Sequence, residues 1–77
     1  MRPKPGIYRH FKGNLYRLIA IARHSETLEE MVVYQALYEG RGMWVRPLAM
    51  WSEIVERGGE KVPRFTWIAE KEEDVVK

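Results

Sequence analysis

The chain has no cysteine, a single aspartate (Asp74), two serines (Ser25 and Ser52) and two histidines (His10 and His24) among its 77 residues. Without cysteine there are no disulfide staples, thiolate nucleophiles or cysteine-ligated zinc sites. Neither serine lies in a Gly-x-Ser-x-Gly elbow, and the body of the chain offers no aspartate to complete a serine–histidine–acid triad. Ser25 follows His24 directly, but neighbours on a strand point to opposite faces. A glycine-rich phosphate loop is missing too: Gly40-Arg41-Gly42 and Gly58-Gly59 lack the strand–loop–helix setting that a nucleotide motif needs. No apolar run approaches the roughly 18 residues of a membrane span, and Met1-Arg2-Pro3-Lys4-Pro5 lacks the apolar stretch of a signal peptide. A cytoplasmic protein with no membrane association and no cofactor is expected.

What is present is unevenly spread. Net charge is +2, yet residues 1–24 carry six Lys/Arg and no acid, and residues 25–40 carry four Glu and no base. A basic first third can meet phosphates, or it can pair with the acidic segment that follows it. A strongly basic face is the usual footprint of a nucleic-acid binder, and +2 is small for one. Without its ends the chain keeps about 65 residues, near the lower limit for folding alone. Nine aromatics, each able to bury a large area, supply the core that disulfides would otherwise have to support.

Residues 1–5 read as an extended arm, because Pro3 and Pro5 push their predecessors out of helical geometry. From Gly6 to Phe11 the residues alternate, with Ile7, Arg9 and Phe11 on one face and Tyr8 and His10 on the other. Lys12-Gly13-Asn14 turns the chain. Leu15 to Arg23 is the longest β-like run. In it Tyr16, Leu18, Ala20 and Ala22 share a face with His24, and Leu15, Ile19 and Ile21 share the other with Arg17 and Arg23. Apolar residues on both faces mark a strand that bends or is covered on both sides. Thr27-Leu28-Glu29-Glu30 matches a capping box, with Thr27 as N-cap. Met31 to Tyr38 resumes the alternation, Glu39 to Gly42 is a hairpin loop, and Met43 to Arg46 is a short strand ended by Pro47. A helical turn over Pro47 to Trp51, a strand over Glu53 to Arg57, a Gly58-Gly59 turn and a last strand over Lys61 to Ile68 follow. Pro63 argues that the last strand lies at an edge.

Five to six short strands, tight turns and one helical turn predict an all-β SH3-like barrel, with an α+β roll as the alternative. The domain is expected over residues 6–69, between the arm (1–5) and a charged, frayed tail (70–77).

The best candidate site lies at the turn His24-Ser25-Glu26-Thr27-Leu28-Glu29-Glu30. On a strand His24 and Glu26 share a face, and with His10 from the neighbouring strand they would form a two-His, one-Glu ligand set. A His24–Glu26 ion pair accounts for the same residues, and no metal is expected. As acid and base, His24 and Glu26 could serve a small enzyme. Arg46 can hold a carboxylate or phosphate in its fork, or close an ion pair with Glu26. Tyr8, Tyr34, Trp44, Trp51 and Phe65 could line a groove for a proline-rich peptide, stacked bases or a methylated cation, although most aromatics in so small a domain must be core.

Several stretches resemble one family: Gly6-Ile7-Tyr8-Arg9-His10-Phe11-Lys12-Gly13-Asn14-Leu15-Tyr16, then His24-Ser25-Glu26-Thr27, Val32-Val33-Tyr34, Trp44-Val45-Arg46-Pro47-Leu48 and Val62-Pro63-Arg64-Phe65. Together they resemble domain-of-unknown-function family 1653, a short bacterial family, from about Gly6 to Phe65. The resemblance implies an SH3-like barrel and implies no activity. The family often has Phe at the position of Trp51. The expected function is a small non-catalytic binding module that takes a ligand or peptide with an anionic group. His24, Glu26 and Thr27 would make polar contacts, Arg46 would hold the anion, and Tyr34 and Trp44 would pack on the ligand. Tyr8 and His10 are secondary candidates. The alternatives are the small enzyme and a single-stranded nucleic-acid accessory protein; the chain would act as a monomer or homodimer.

Overall fold

The structure is a computed structural model and describes residues 2–75. Strands β1 (Gly6–His10), β2 (Leu15–Arg23), β3 (Glu30–Ala36) and β4 (Met43–Pro47) form an antiparallel meander. A single helical turn, α1 (Leu48–Trp51), follows, then a β5–β6 hairpin (Ile54–Arg57 and Glu60–Pro63), then β7 (Phe65–Ala69), which returns to pair with β1. The main sheet runs β4-β3-β2-β1-β7, and β5-β6 stands as a separate two-stranded sheet. The class is all-β, as the alternation predicts.

Among the described residues there are seven strands rather than five or six. The expected single strand over Lys61 to Ile68 breaks at Arg64. Its first part, with Pro63 opposite Ile54, belongs to the small hairpin; its second part joins the main sheet beside β1. Proline tolerates an edge, and a two-stranded sheet is all edge. Gly58 and Gly59 close this hairpin with φ of 59° and 84°, the left-handed pair that a tight two-residue turn requires.

The double-faced pattern of β2 has a definite cause. Leu18 pairs with Tyr34, but Ala20 pairs with Val33, so Ile19 is an extra residue, a bulge. A bulge bends the strand and inverts which residues face inward. Before it Tyr16 and Leu18 face the core side; after it Ile21, opposite buried Val32, does so. Ala20 and Ala22 therefore leave the face that Tyr16 and Leu18 share, a correction to simple alternation.

The sheet curls around one aromatic core. Tyr8, Leu18, Val32, Tyr34, Trp51 and Phe65 are buried together, with Tyr16, Leu48 and Trp67 packed against them. Trp51 stacks on Phe65 with ring centroids 3.7 Å apart, and Tyr8 and Tyr34 meet Trp51 edge-on at 5.2 and 5.1 Å. α1 is only one turn long; its role is to deliver Trp51 under the sheet. Pro47, just before it, has the φ of −54° that a proline ring imposes.

The described segments before β1 and after β7 are both tied to the sheet. Lys4 places its ammonium 3.7 Å from the Trp67 ring centre, Trp67 Nε1 donates to the Pro5 carbonyl, and the Tyr8 hydroxyl donates to the Lys4 carbonyl. Gly6, at φ 141°, passes so close to Trp67 that a Cβ there would collide with the indole. At the other end Glu72, in a 3-10 turn over Glu72–Asp74, bonds Arg17 of β2 and Arg41 of the β3–β4 loop. Of the tail expected to fray, Val76 and Lys77 lie outside the described residues.

Candidate functional site

The residues nominated by the sequence fall into two groups. His24, Glu26 and Thr27 lie in the β2–β3 turn, not on a strand. The predicted capping box is not formed, because no helix starts there and Glu30 opens β3. His24 organises the turn instead: its Nδ1 accepts the backbone N–H groups of Glu26 and Thr27 at 3.1 and 3.3 Å, and its carbonyl accepts the Leu28 N–H at 2.9 Å. Thr27 Oγ1 accepts the Glu29 N–H. Thus Glu26 meets His24 through its backbone, not its carboxylate, and the arrangement provides no acid–base couple. The third acid, Glu30, pairs with Arg2.

His10 cannot join them. The β1–β2 register sets Arg9 opposite Leu15, so His10 stands at the start of β2 and His24 just past its end. The nine residues of β2 separate them by about 30 Å of extended chain. Among the described residues no three His, Asp or Glu side chains gather closely enough for one metal ion.

The second group converges. Arg46 lies opposite Val32, and Trp44 opposite Tyr34, so both side chains leave β4 on the core side. Arg46 is half-buried, with its guanidinium carbon 5.6 Å from the Phe65 ring centre. Among the described residues it has no carboxylate partner and makes no side-chain hydrogen bond. His10 joins from β1, its ring 5.0 Å from Phe65 and 6.2 Å from Tyr16. Its Nδ1 accepts the Lys12 backbone N–H, which leaves the proton of the neutral ring on Nε2. Burial, and then the charges of Arg46, Arg64 and Lys12, hold the His10 pKa below its ordinary value. Among the described residues the one acid paired with these cations is Glu53, which bonds Arg64.

Three tyrosines extend this face. Tyr16 meets Tyr34 and Tyr38 edge-on at 5.4 and 5.6 Å, and the Tyr16 and Tyr38 hydroxyls share a hydrogen bond of 2.8 Å. Burial and that bond push the Tyr16 pKa up to about 12. Beyond Tyr38 a shallow hollow of about 260 Å³ is lined by Ala36, Tyr38, Glu39, Gly40, Arg41, Gly42 and Trp44. Tyr8 is not available, being 5% exposed and part of the core; burial raises its pKa. Beside His10, the Phe11 ring has Arg57, Lys12 and Arg64 within 5.7 to 5.9 Å of its centre, and Arg57 also donates to the Phe11 carbonyl.

The structure therefore unites Tyr34, Trp44, Arg46 and His10 and sets His24, Glu26 and Thr27 apart. It adds Tyr16, Tyr38 and the cations around Phe11, and it brings Phe65, one of the aromatics named for a groove, beneath Arg46 and His10. The Gly13 turn, which fixes Tyr8 opposite Tyr16, was the one sequence signal for Tyr16; the return of β7 to β1, which places Phe65 beside His10, left none.

No helix among the described residues is long and apolar enough to cross a membrane. None of the curated proteins matches the chain. A crystal structure of a protein of the DUF1653 family from Bordetella bronchiseptica superposes with a TM-score of 0.82 at 41% identity, covering 88% of this chain and 90% of that one. The model of the family described as "Protein of unknown function (DUF1653)" matches residues 6–67. With the family match running from the start of β1 into β7 and taking in the hairpin, the chain belongs to the DUF1653 family.

Proposed function

We propose that the chain is a small non-catalytic binding module on an SH3-like barrel frame, and that it recognises a ligand or peptide bearing an anionic group through Arg46. The frame is supported by the meander whose last strand returns to its first, with a helical turn before the return. The observation that carries the functional reading is the state of Arg46: half-buried, over an aromatic ring, without a counter-ion among the described residues, and beside a histidine already surrounded by cations. An uncompensated charge in such a setting is costly, and a bound anion relieves it. The planar guanidinium suits a carboxylate or phosphate, which it can hold with two parallel bonds. Tyr16, Tyr34, Tyr38 and Trp44 then present ring edges and hydroxyls to the rest of the ligand. His24, Glu26 and Thr27 act by shaping the turn.

Phenyl phosphate combines the two features and serves as a probe. In NMR titration it shifts the backbone signals of His10, Tyr16 and Arg46, and Arg46→Ala weakens binding by about tenfold to a hundredfold, the worth of a charge-assisted bond. Shifts confined to the His24–Glu29 turn, or an unchanged affinity in Arg46→Ala, reject this site.

A second reading has its own support. Phe11 with Arg57, Lys12 and Arg64 around it is a stacking surface ringed by cations, which suits single-stranded nucleic acid. Binding of an oligothymidylate that fades steeply with salt and is lost in Phe11→Ala favours it; no binding at low salt ends it.

A further inference from the structure

The β4 edge of the main sheet is open. Among the described residues β4 is bonded to β3 on one side only, and Met43, Trp44 and Val45 are 55%, 59% and 61% exposed. The Ala36 N–H donates to the Gly42 carbonyl at 2.9 Å, which fixes the phase of the ladder. Gly42, Trp44 and Arg46 direct their backbone groups to β3; Met43 and Val45 direct theirs outward. Edge strands are usually guarded by a charge, a bulge or a proline, and these three positions have none.

We propose that β4 pairs antiparallel with β4 of a second copy about a two-fold axis at Trp44. Met43 then faces Val45 of the second copy, and Val45 faces its Met43, giving four N–H···O bonds. Two features select this register. A shift one way sets Val45 against Arg41, which at φ 51° is out of strand geometry. A shift the other way sets Met43 against Pro47, which has no N–H to give. In the selected register Arg46 faces Gly42 and Arg41 faces Pro47, so no like charges oppose each other. Trp44 faces Trp44 at a non-hydrogen-bonded position, where cross-strand side chains approach most closely.

The occupant is a second copy rather than a free peptide because only two residues offer outward bonds. A free peptide would lose backbone freedom at every residue laid down, whereas a second β4 is already held straight by its own β3. Three side chains bury far less than the roughly 800 Å² per partner of a standard interface. The dimer is accordingly weak and reversible, half-formed at high micromolar concentration. This pairing does not use Arg46, but it shares Trp44 with the proposed ligand site, so the two readings are tested by different variants.

Sedimentation velocity over rising concentration tests it. The natural chain shifts reversibly from monomer to dimer. Val45→Pro removes an outward N–H and leaves the β3 ladder intact, an edge position where proline is tolerated, and it stays monomeric. A second measurement does not depend on how well that variant folds. The chain has no cysteine, and a non-hydrogen-bonded antiparallel pair brings Cα atoms to about 4.5 Å, within disulfide range. Trp44→Cys therefore cross-links under mild oxidation far faster than Glu56→Cys, which lies on the exposed hairpin. A chain monomeric at every concentration, a dimer that survives Val45→Pro in folded form, or equal cross-linking at the two cysteine positions overturns the proposal.

Discussion

His10 and His24 stand at opposite ends of β2, and each uses Nδ1 to accept the backbone N–H two residues ahead, from Lys12 and from Glu26 respectively. Their surroundings differ in almost every other respect. The His10 ring lies against Phe11, Phe65 and Tyr16 at 4.5, 5.0 and 6.2 Å, among the charges of Arg46, Arg64 and Lys12. His24 lies in a turn with Glu26 and Glu29, next to Glu30 at the start of β3, and its Nδ1 also takes the Thr27 N–H. The same local bond therefore serves two ends. At His24 the imidazole is a peg on which a turn is hung. At His10 it holds the ring in place beside an uncompensated guanidinium, where a ligand's charge would be felt.

The sharpest way to break this difference is to remove the floor beneath His10 and Arg46. Phe65→Ala takes away the ring that stacks on Trp51 and underlies both side chains. Burial of this kind costs about 3–5 kcal/mol on truncation, against total stabilities of about 5–15 kcal/mol for domains in general. Denaturant unfolding should show a domain close to its limit, and a loss under about 1 kcal/mol would mean that Phe65 is replaceable by its neighbours. At the other end of β2, His24→Ala deprives two backbone N–H groups of their acceptor. The turn is exposed, so water replaces the bond in part, and the loss should resemble that of a helix cap, about 1 kcal/mol. Phenyl phosphate affinity should stay as it was; a His24→Ala protein that folds normally but fails to bind would return the site to the turn.

Much of the strand order could be read from alternation because half-buried strands show it directly. Tyr8, Tyr34 and the Gly13 and Gly58-Gly59 turns are where the pattern puts them. Three features were not legible, each for a physical reason. The Ile19 bulge shifts the phase of β2 by one residue, and a sequence with apolar residues on both faces fits either phase. The break at Arg64 lies between two β-like halves, and only their different partners reveal it. The separation of His24 from Arg46 follows from where β2 ends: two residues share a face only while they remain on a strand, and Glu26 is already in the turn. The sequence reading set Arg46 beside His24; in the fold Arg46 lies among aromatics beside His10.

The two histidines can also be separated by proton. The folded pKa of His10 lies below the ordinary 6.5. Between the two values the unfolded chain binds a proton that the folded chain refuses. His10's contribution is thus fully present above about pH 6.5, declines as pH falls toward the folded pKa, and is flat below it. His10→Gln should remove that slope from the pH dependence of unfolding. In NMR titration, an anion bound at Arg46 should carry the His10 pKa upward, since it offsets the cation that lowers it. An unchanged His10 titration in saturating phenyl phosphate would mean that the anion binds elsewhere.

The smallest expected effect separates the two turns themselves. The β1–β2 turn places glycine, Gly13, at φ 105°, whereas the β2–β3 turn places Leu28 at φ 65° with its side chain 61% exposed. A left-handed leucine suffers a clash between Cβ and backbone worth about 1–2 kcal/mol, and an exposed side chain returns little packing. Leu28→Gly relieves the clash and adds freedom to the unfolded chain, which offsets part of the gain. The net should be a stabilisation of about 0.5 kcal/mol, seen as a small rise in Tm. If Leu28→Gly instead lowers Tm, the leucine side chain must hold its turn together through contacts that outweigh the strain. The His24 turn would then be more than a closed loop, and its contrast with the His10 end would narrow.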